Sequence, residues 1–393
     1  MSVHKDEKIN YLIASHKIMN KITKIVIGIV ALVLVVWGIT SLATKDVHTN
    51  SPTQKPTITI GVTLPLTGDI AMLGQSNKNA IQLAYNQLDT KNLKYNYKLV
   101  FEDDSFKPSI GATTAHKLIS IDGANALISF GSPVGNVVSP IAEAAGVPHL
   151  NDFASDPHVA TGQYNFVDYT PANEDSKLFI QELQKRRITK VVFFGQQDNP
   201  GSGAIINAFL SGVKSTNIQV LSTQMITTGT RDFRTQIEKV KDLGAQIYII
   251  ELSSPELETV TTQLRTLGVN TPVTTMETFE FSDQLSLFEG MWYVNDADAT
   301  QWFMDLYTKT YNQAPKFGAA NGYDSLNMLV QSVESAGDGI TIPTGAQITA
   351  QLAGIKGFNG ALGNNLNMGS DHLVDSKSVV RMIKNGTPVT IQP

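Results

Sequence analysis

Residues 57–75 read Thr-Ile-Thr-Ile-Gly-Val-Thr-Leu-Pro-Leu-Thr-Gly-Asp-Ile-Ala-Met-Leu-Gly-Gln, and this stretch decides the fold of the chain. Its β-branched beginning predicts a strand that is buried on both faces, and Pro65, Thr67 and Gly68 predict a loop behind it. The apolar residues that follow have the spacing of one helix face: Leu73, Ile81, Ala84 and Leu88. The stretch is therefore a βα unit whose loop lies at the carboxyl end of a strand, where open α/β sheets bind ligands.

Short apolar strands alternate with helical segments along most of the remaining chain. We expect strands at residues 97–104, 126–130, 146–150, 191–194 and 245–251. Such alternation is typical of parallel sheets, and 393 residues exceed what one hydrophobic core usually organises. The pattern predicts an α/β protein with two lobes of similar architecture, and Asn385-Gly386 predicts the turn of a closing hairpin.

The composition excludes several classes of protein. Hydrophobic residues make up 42% and charged residues 17% of the chain, as in globular proteins. The formal charge of -5 and the isoelectric point near 5.8 argue against a nucleic-acid-binding protein, which needs a basic face. The absence of cysteine removes disulfides, cysteine nucleophiles and lipid-modified cysteines. Any membrane attachment must therefore be made by the chain itself.

The N-terminal region predicts such an attachment. The segment from Ile25 to Thr44 carries no charge and is long enough to cross a hydrocarbon layer of ~30 Å as a helix. Several lysines precede it, so the positive-inside rule places residues 1–24 in the cytoplasm and the body outside. The alternative is a cleaved signal peptide, with Ser41-Leu42-Ala43 as the cleavage site. Residues 45–56 are polar and are predicted to be a linker.

Motifs for catalysis are few. The chain contains no Gly-x-x-x-x-Gly-Lys-Ser/Thr, Gly-x-Ser-x-Gly, His-Glu-x-x-His or Gly-x-Gly-x-x-Gly sequence. Asp103-Asp104 at a strand end could be a general acid/base pair, or the two residues could cap the next helix. His149 and His158 are the only histidines in one neighbourhood, and we expect no metal site there. These observations favour binding over catalysis, with a hydrolase as a further alternative.

Three polar residues are candidates for ligand binding. Ser132 and Ser155 each follow a predicted strand near the start of a helix or turn, where free N–H groups favour a carboxylate. Ordinary capping is the other interpretation of both serines. Glu277 follows a predicted strand of the second half, where it is either a binding residue or an exposed acid.

The segment from Thr57 to Thr390 resembles the type I periplasmic solute-binding proteins, specifically the leucine/isoleucine/valine-binding branch. Motifs in matching order carry the resemblance: Ile60-Gly-Val-Thr-Leu-Pro-Leu-Thr-Gly68, Leu73-Gly-Gln75, Glu143-Ala-Ala-Gly-Val-Pro148, Thr228-Gly-Thr-Arg-Asp-Phe233 and Gly322-Tyr-Asp324. The resemblance implies two Rossmann-like, parallel-sheet lobes that are joined by three crossovers near Asp168, Val294 and Asp371 and that close on a ligand by a hinge motion. It implies that residues 57–168 and 295–371 form lobe 1, and that residues 169–294 and 372–393 form lobe 2.

The resemblance also implies roles for single residues. Ser132 and Ser155 match positions that hold the α-carboxylate of an amino acid, the Phe153 carbonyl matches an acceptor for its α-ammonium, and Glu277 matches the acid that meets the ammonium. Three further positions, at which amino-acid binders usually place aromatic residues over the ligand, differ in this chain: Leu73, Pro200 and Ser253.

The expected function is that of an anchored, extracytoplasmic solute-binding protein. It would capture a small amino-acid-like ligand and present it to the permease of an ABC importer, without a cofactor and without covalent chemistry. The alternative is a ligand-sensing receptor domain that signals through a partner protein.

Overall fold

A computed structural model of the protein describes residues 16–17, 19–35 and 55–391. Residues 19–35 are helical, and their side chains are exposed. None of the helices in these described ranges is both long and apolar enough to cross a membrane, so the predicted span from Ile25 to Thr44 gains no support. Its last part, residues 36–44, lies outside the described residues, as do the cleavage site proposed at 41–43 and the linker up to residue 54.

The body begins with a five-stranded parallel sheet and the helices that connect its strands. In chain order these elements are β1 (Thr57–Leu64), α1 (Ala71–Asn86), β2 (Asn96–Asp103), α2 (Pro108–Ser120), β3 (Ala126–Ser129), α3 (Ser132–Ala145), β4 (His149–Asn151) and β5 (Asn165–Val167). The strands are ordered β2-β1-β3-β4-β5. Every residue of β1 except Thr57 is buried, which confirms the prediction of a central strand that is covered on both faces.

A second, four-stranded parallel sheet follows. Its elements are α4 (Ala172–Lys185), β6 (Lys190–Gln196), α5 (Pro200–Gly212), β7 (Gln219–Ile226), α6 (Arg234–Val240), β8 (Ile247–Glu251), α7 (Glu256–Thr266) and β9 (Val273–Thr274). The strands are ordered β7-β6-β8-β9. Each sheet packs its own hydrophobic core, so the prediction of two α/β lobes is confirmed.

The last third of the chain adds helices and short antiparallel strands. These elements are β10 (Trp292–Asp296), α8 (Gln301–Tyr311), α9 (Ala319–Ala336), α10 (Gly345–Ala353), β11 (Phe358–Gly360), β12 (Gly363–Leu366), β13 (Ser378–Lys384) and β14 (Thr387–Thr390). Helix α9 packs against α1 of the first lobe, whereas β10, β13 and β14 form one antiparallel sheet beside the second. The predicted hairpin is β13–β14, and Asn385 and Gly386 both have positive φ at its turn.

Loops from both lobes meet at one cavity. Residues that follow β1, β2, β3 and β4 line it from the first lobe, and residues at or after the ends of β6, β8 and β9 line it from the second. Because these are the carboxyl ends of parallel strands, the cavity lies where α/β sheets place their ligands.

Candidate functional site

The cavity between the lobes has a volume of about 30 Å³. Its lining from the first lobe consists of Ile70, Phe106, Gly131, Ser132, Pro133, Phe153 and Ser155. Its lining from the second lobe consists of Gln196, Asn199, Gly201, Ser202, Ile205, Glu251, Ser253, Glu277, Thr278 and Phe281. The structure therefore brings together five of the residues that the sequence indicated: Ser132, Phe153, Ser155, Ser253 and Glu277.

Ser132 lies at the first position of α3 and faces the start of α5. Its Oγ accepts a hydrogen bond from the Asp156 N–H at 3.1 Å, which ties the loop after β4 to the helix. A Cβ atom at Gly201 would lie 2.9 Å from this Oγ and 3.2 Å from Asn199 Oδ1. A larger residue at this position would require the Ser132 and Asn199 side chains to move, so glycine favours the close approach of the two helix ends.

Ser155 and Glu277 join the two lobes directly. Ser155 Oγ donates a hydrogen bond to Glu277 Oε2 at 2.9 Å, and both residues are buried. The other carboxyl oxygen, Glu277 Oε1, is buried and receives no N–H or hydroxyl donor among the described residues, but the Glu277 carboxyl lies within hydrogen-bond reach of the buried Asp175 carboxyl. Burial raises the pKa of the Glu277 carboxyl well above its usual range, and the nearby Asp175 and Glu251 carboxyls raise it further. Glu277 is therefore a buried acid that faces a neighbouring lobe, in contrast to the exposed alternative.

Glu251 is a second buried acid in the cavity, and the sequence analysis missed it. It is the last residue of β8 and is only 1% exposed. Its Oε1 accepts hydrogen bonds from Thr275 Oγ1 at 2.8 Å and from the Met276 N–H, whereas its Oε2 has no partner among the described residues. Burial raises the pKa of this carboxyl to about 8. An acid that ends a fully apolar strand was the available signal, because such a strand end faces the ligand edge of the sheet.

Aromatic side chains form the apolar part of the cavity wall. Phe153 stacks on Phe130 with a centroid distance of 4.2 Å and lies 5.7 Å from Phe281 of the other lobe. Phe106 lines the same wall and packs edge-on against Phe130 at 6.4 Å. The aromatic contacts expected at other positions are thus replaced by phenylalanines from loops of both lobes.

The three positions that depart from the usual aromatic pattern have different locations. Ser253 lines the cavity, and its N–H donates to Gln196 Oε1 at 3.2 Å. Leu73 is completely buried in the core of the first lobe, because it lies on the face of α1 that packs against the sheet. Pro200 lines a larger neighbouring cavity, whereas the residues on either side of it, Asn199 and Gly201, line the central one.

The other candidates for chemistry have structural partners. Asp103 accepts from the N–H groups of Leu66 and Thr67, and the buried Asp104 accepts from Thr63 Oγ1 and the Phe106 N–H. His149 is buried between Ser129 and Asn165, and burial lowers its pKa to about 4. The two aspartates and His149 hold loops and strands in place, and none of the three lines the cavity.

The charges of the cavity are distributed unequally. The first lobe contributes hydroxyl groups and the N-terminus of α3, which favour an anionic group. The second lobe contributes two buried carboxyls, and among the described residues that line the cavity there is no Lys, Arg or His. A zwitterion fits this arrangement, because its negative end would face the first lobe and its positive end the second.

Comparisons with known proteins agree with this geometry. The family described as "Periplasmic binding protein" matches residues 57–387. The chain is 25% identical over 229 residues to the Leu/Ile/Val-binding protein BraC3 of Rhizobium johnstonii, which covers 57% of this chain and 62% of the relative. It is 22% identical over 309 residues to the leucine-, isoleucine-, valine-, threonine- and alanine-binding protein of Pseudomonas aeruginosa, which covers 72% and 79%. The match to the Rhizobium protein thus spans less than two thirds of that relative's length.

Solved structures with the same fold include the leucine-binding protein LivK of Thermotoga maritima, at a TM-score of 0.76 and 21% identity, covering 85% of this chain and 98% of that chain. LivJ of Streptococcus pneumoniae in complex with isoleucine gives a TM-score of 0.76 at 19% identity, covering 86% and 100%. A solute-binding protein from R. palustris in complex with benzoate gives 0.76 at 17%, covering 85% and 95%. At these identities the likeness is one of fold.

Proposed function

The chain belongs to the periplasmic binding protein family, and from this premise we propose that it captures an amino-acid-like solute outside the cytoplasm and presents it to the permease of an ABC importer. The names of its relatives, which bind leucine, isoleucine and valine, support an amino-acid ligand. The proposed activity is reversible binding, without a cofactor and without covalent chemistry.

One observation carries the proposal: Ser155 of one lobe meets Glu277 of the other inside a buried cavity. We propose that Ser132 and Ser155 hold the ligand's carboxylate, and that Glu277 and the Phe153 carbonyl receive its ammonium. A zwitterion that leaves water needs partners for both charges, since an unpaired buried charge costs several kcal/mol. The two walls of the cavity offer complementary partners.

The lobes must separate before a ligand can enter. A buried water occupies about 10–15 Å³ of such volume, so a cavity of about 30 Å³ has room for about two waters and no amino acid. We propose that the lobes consist of residues 57–168 with 295–371 and of residues 169–294 with 372–393. The chain would then cross between lobes near Asp168, Val294 and Asp371. The separate sheets β1–β5 and β6–β9 and the packing of α9 on α1 support this division.

We further propose that the uncharged segment from Ile25 to Thr44 anchors the body at the outer face of a membrane. The proposal rests on the uncharged sequence of this segment and on the lysines that precede it. N-terminal sequencing of protein from the native host tests it, because a mature chain that begins near Thr44 would identify a cleaved signal peptide instead.

A thermal-shift screen of the purified full-length protein tests the ligand class. The panel should contain amino acids, amides and short peptides, because a ligand at 100 times its dissociation constant adds about 2.7 kcal/mol of stability. We expect at least one amino acid to raise the melting temperature and to bind in calorimetry. If none binds, or if the bound ligand lacks an amine, the amino-acid assignment is wrong.

A further inference from the structure

We propose that Glu251 is a second recognition acid in the cavity, and that the preferred solute is an amino acid whose side chain ends in N–H donors. Amine, guanidine and amide side chains share this chemistry, and aliphatic side chains lack it. The inference rests on the proposed function, because it assigns a second contact to the same ligand.

The first observation is an unpaired atom inside the cavity wall. Glu251 Oε1 is fully used by Thr275 and the Met276 N–H, but Oε2 is buried and has no partner among the described residues. Polar atoms at such depth are nearly always hydrogen-bonded, because an unmade bond in a buried site is costly. Since Glu251 lines the cavity, we infer that a donor on a bound ligand reaches the oxygen that the protein leaves free.

Two neighbouring hydroxyl donors and one N–H of a neighbouring amide are engaged elsewhere. Gln196 Nε2 donates to Thr228 Oγ1 at 2.6 Å, and Ser202 Oγ donates to the Glu251 backbone carbonyl at 3.0 Å. Thr278 Oγ1 donates to the Ile250 carbonyl at 3.0 Å. Ser202 and Thr278 would have to break an existing bond to serve Oε2, whereas the Gln196 amide keeps one N–H that is not used in its bond to Thr228. A ligand donor satisfies Oε2 without that cost.

The number of buried acids in the cavity also supports a side chain with N–H donors. Glu277 and Glu251 are both buried in the second-lobe wall, and Glu251 Oε2 is unpaired. The α-ammonium of a ligand can satisfy the first of these acids. An aliphatic side chain would leave the second acid against apolar surface with its proton retained, whereas a cationic N–H donor would favour loss of that proton and would pair with the resulting carboxylate.

A purely structural role for Glu251 would depend on Oε1, which braces the Thr275–Met276 turn. Glu251→Gln keeps an acceptor at that position and changes the free oxygen to an NH2 group. The substitution therefore tests ligand recognition by Oε2 without removing the hydrogen bonds through which Oε1 holds the turn. Glu258→Gln is the matched control, because Glu258 is also buried, also has one unpaired oxygen and bonds Ser254 through the other, but does not line the cavity.

The experiment is calorimetry on the full-length protein with lysine, glutamine, norleucine and leucine as probes. Lysine and norleucine differ in the terminal ammonium, so their affinity ratio reports on the second acid. We expect lysine or glutamine to bind wild type at least roughly tenfold more tightly than norleucine and leucine. Glu251→Gln should reduce the lysine-to-norleucine affinity ratio at least roughly fivefold without lowering the affinity for norleucine. Glu258→Gln should leave this ratio unchanged.

Two results would overturn the proposal in distinguishable ways. The second-acid inference is wrong if the aliphatic probes bind wild type as tightly as lysine and glutamine, or if Glu251→Gln leaves the lysine-to-norleucine affinity ratio unchanged. In either case the amino-acid function stands if Glu277→Gln weakens the binding of every probe. If none of the four probes binds, the second-acid inference is wrong, and the wider thermal-shift panel decides whether the amino-acid function stands.

Discussion

Replacing Glu251 by glutamine should change how the stability of the protein depends on pH. The pKa of this carboxyl is raised from 4.5 to about 8 by burial at the end of β8. Because the pKa in the folded protein exceeds that of the unfolded chain, the folded state holds more protons between these two values. The contribution of Glu251 to stability is therefore complete below pH 4.5 and is lost as the pH rises to about 8.

The size of the loss follows from the two pKa values. One pKa unit corresponds to about 1.4 kcal/mol, so the interval from 4.5 to about 8 gives a ceiling of about 5 kcal/mol. Glutamine resembles the protonated acid and keeps the acceptor for the Met276 N–H and the Thr275 hydroxyl. We expect Glu251→Gln and wild type to be nearly equal in stability at about pH 5, and the variant to be more stable by a few kcal/mol at about pH 9.

Chemical denaturation at pH 5, 7 and 9, followed by tryptophan fluorescence, measures this difference. Glu289→Gln is the control, because backbone hydrogen bonds from Asn385 and Gly386 lower the pKa of that carboxyl. It is ionised throughout this pH range in both the folded and unfolded chains, so the control should run parallel to wild type. Parallel profiles for wild type and Glu251→Gln would refute the assignment of a buried, proton-holding carboxyl at this position.

Three further outcomes are expected. Glu277→Gln should lower the affinity for an amino-acid ligand roughly 10- to 150-fold in calorimetry while leaving the melting temperature of the ligand-free protein nearly unchanged. Unaltered binding would show that Glu277 does not contact the ligand. Gly201→Ala places a Cβ atom 2.9 Å from Ser132 Oγ, so the lobes should close less completely and the ligand should bind at least roughly tenfold more weakly. Gly203→Ala is the control, because a Cβ atom at this position meets nothing within 4 Å. Small-angle scattering should show a smaller radius of gyration when ligand saturates the protein, and equal radii would contradict the hinge motion.

The fold follows from local sequence patterns to a large extent. The buried pattern of β1 and the turn at Asn385-Gly386 are set by residues adjacent in the chain, so they could be predicted from spacing and residue type. Leu73 shows the limit of this reasoning. Helical spacing indicates that it lies on the apolar face of α1, but only the packed structure shows that this face meets the sheet and not the cavity.

The site depends on contacts between distant parts of the chain. Ser155 and Glu277 could be named as candidates because each follows a strand, yet their hydrogen bond requires the two sheets to face each other. Phe281 gave no separate signal, and the place of Glu251 at the end of an apolar strand does not show which cavity it lines, since that depends on how β8 and β9 pair and how the lobes approach. Strand ends can be predicted from sequence, but which strand ends share a cavity cannot.

The hydrogen bond between Ser155 and Glu277 competes with ligand binding, because both use the same two side chains. Under the proposed roles, Ser155 Oγ serves the carboxylate and Glu277 serves the ammonium, so the direct bond and the bound ligand exclude each other. The free energy of the direct bond is subtracted from that of binding, and a typical intramolecular hydrogen bond contributes about 0.5–1.5 kcal/mol. The same bond favours release of the solute. When the solute leaves, the Ser155 hydroxyl and the Glu277 carboxyl can pair with each other, so neither group is left without a hydrogen-bond partner.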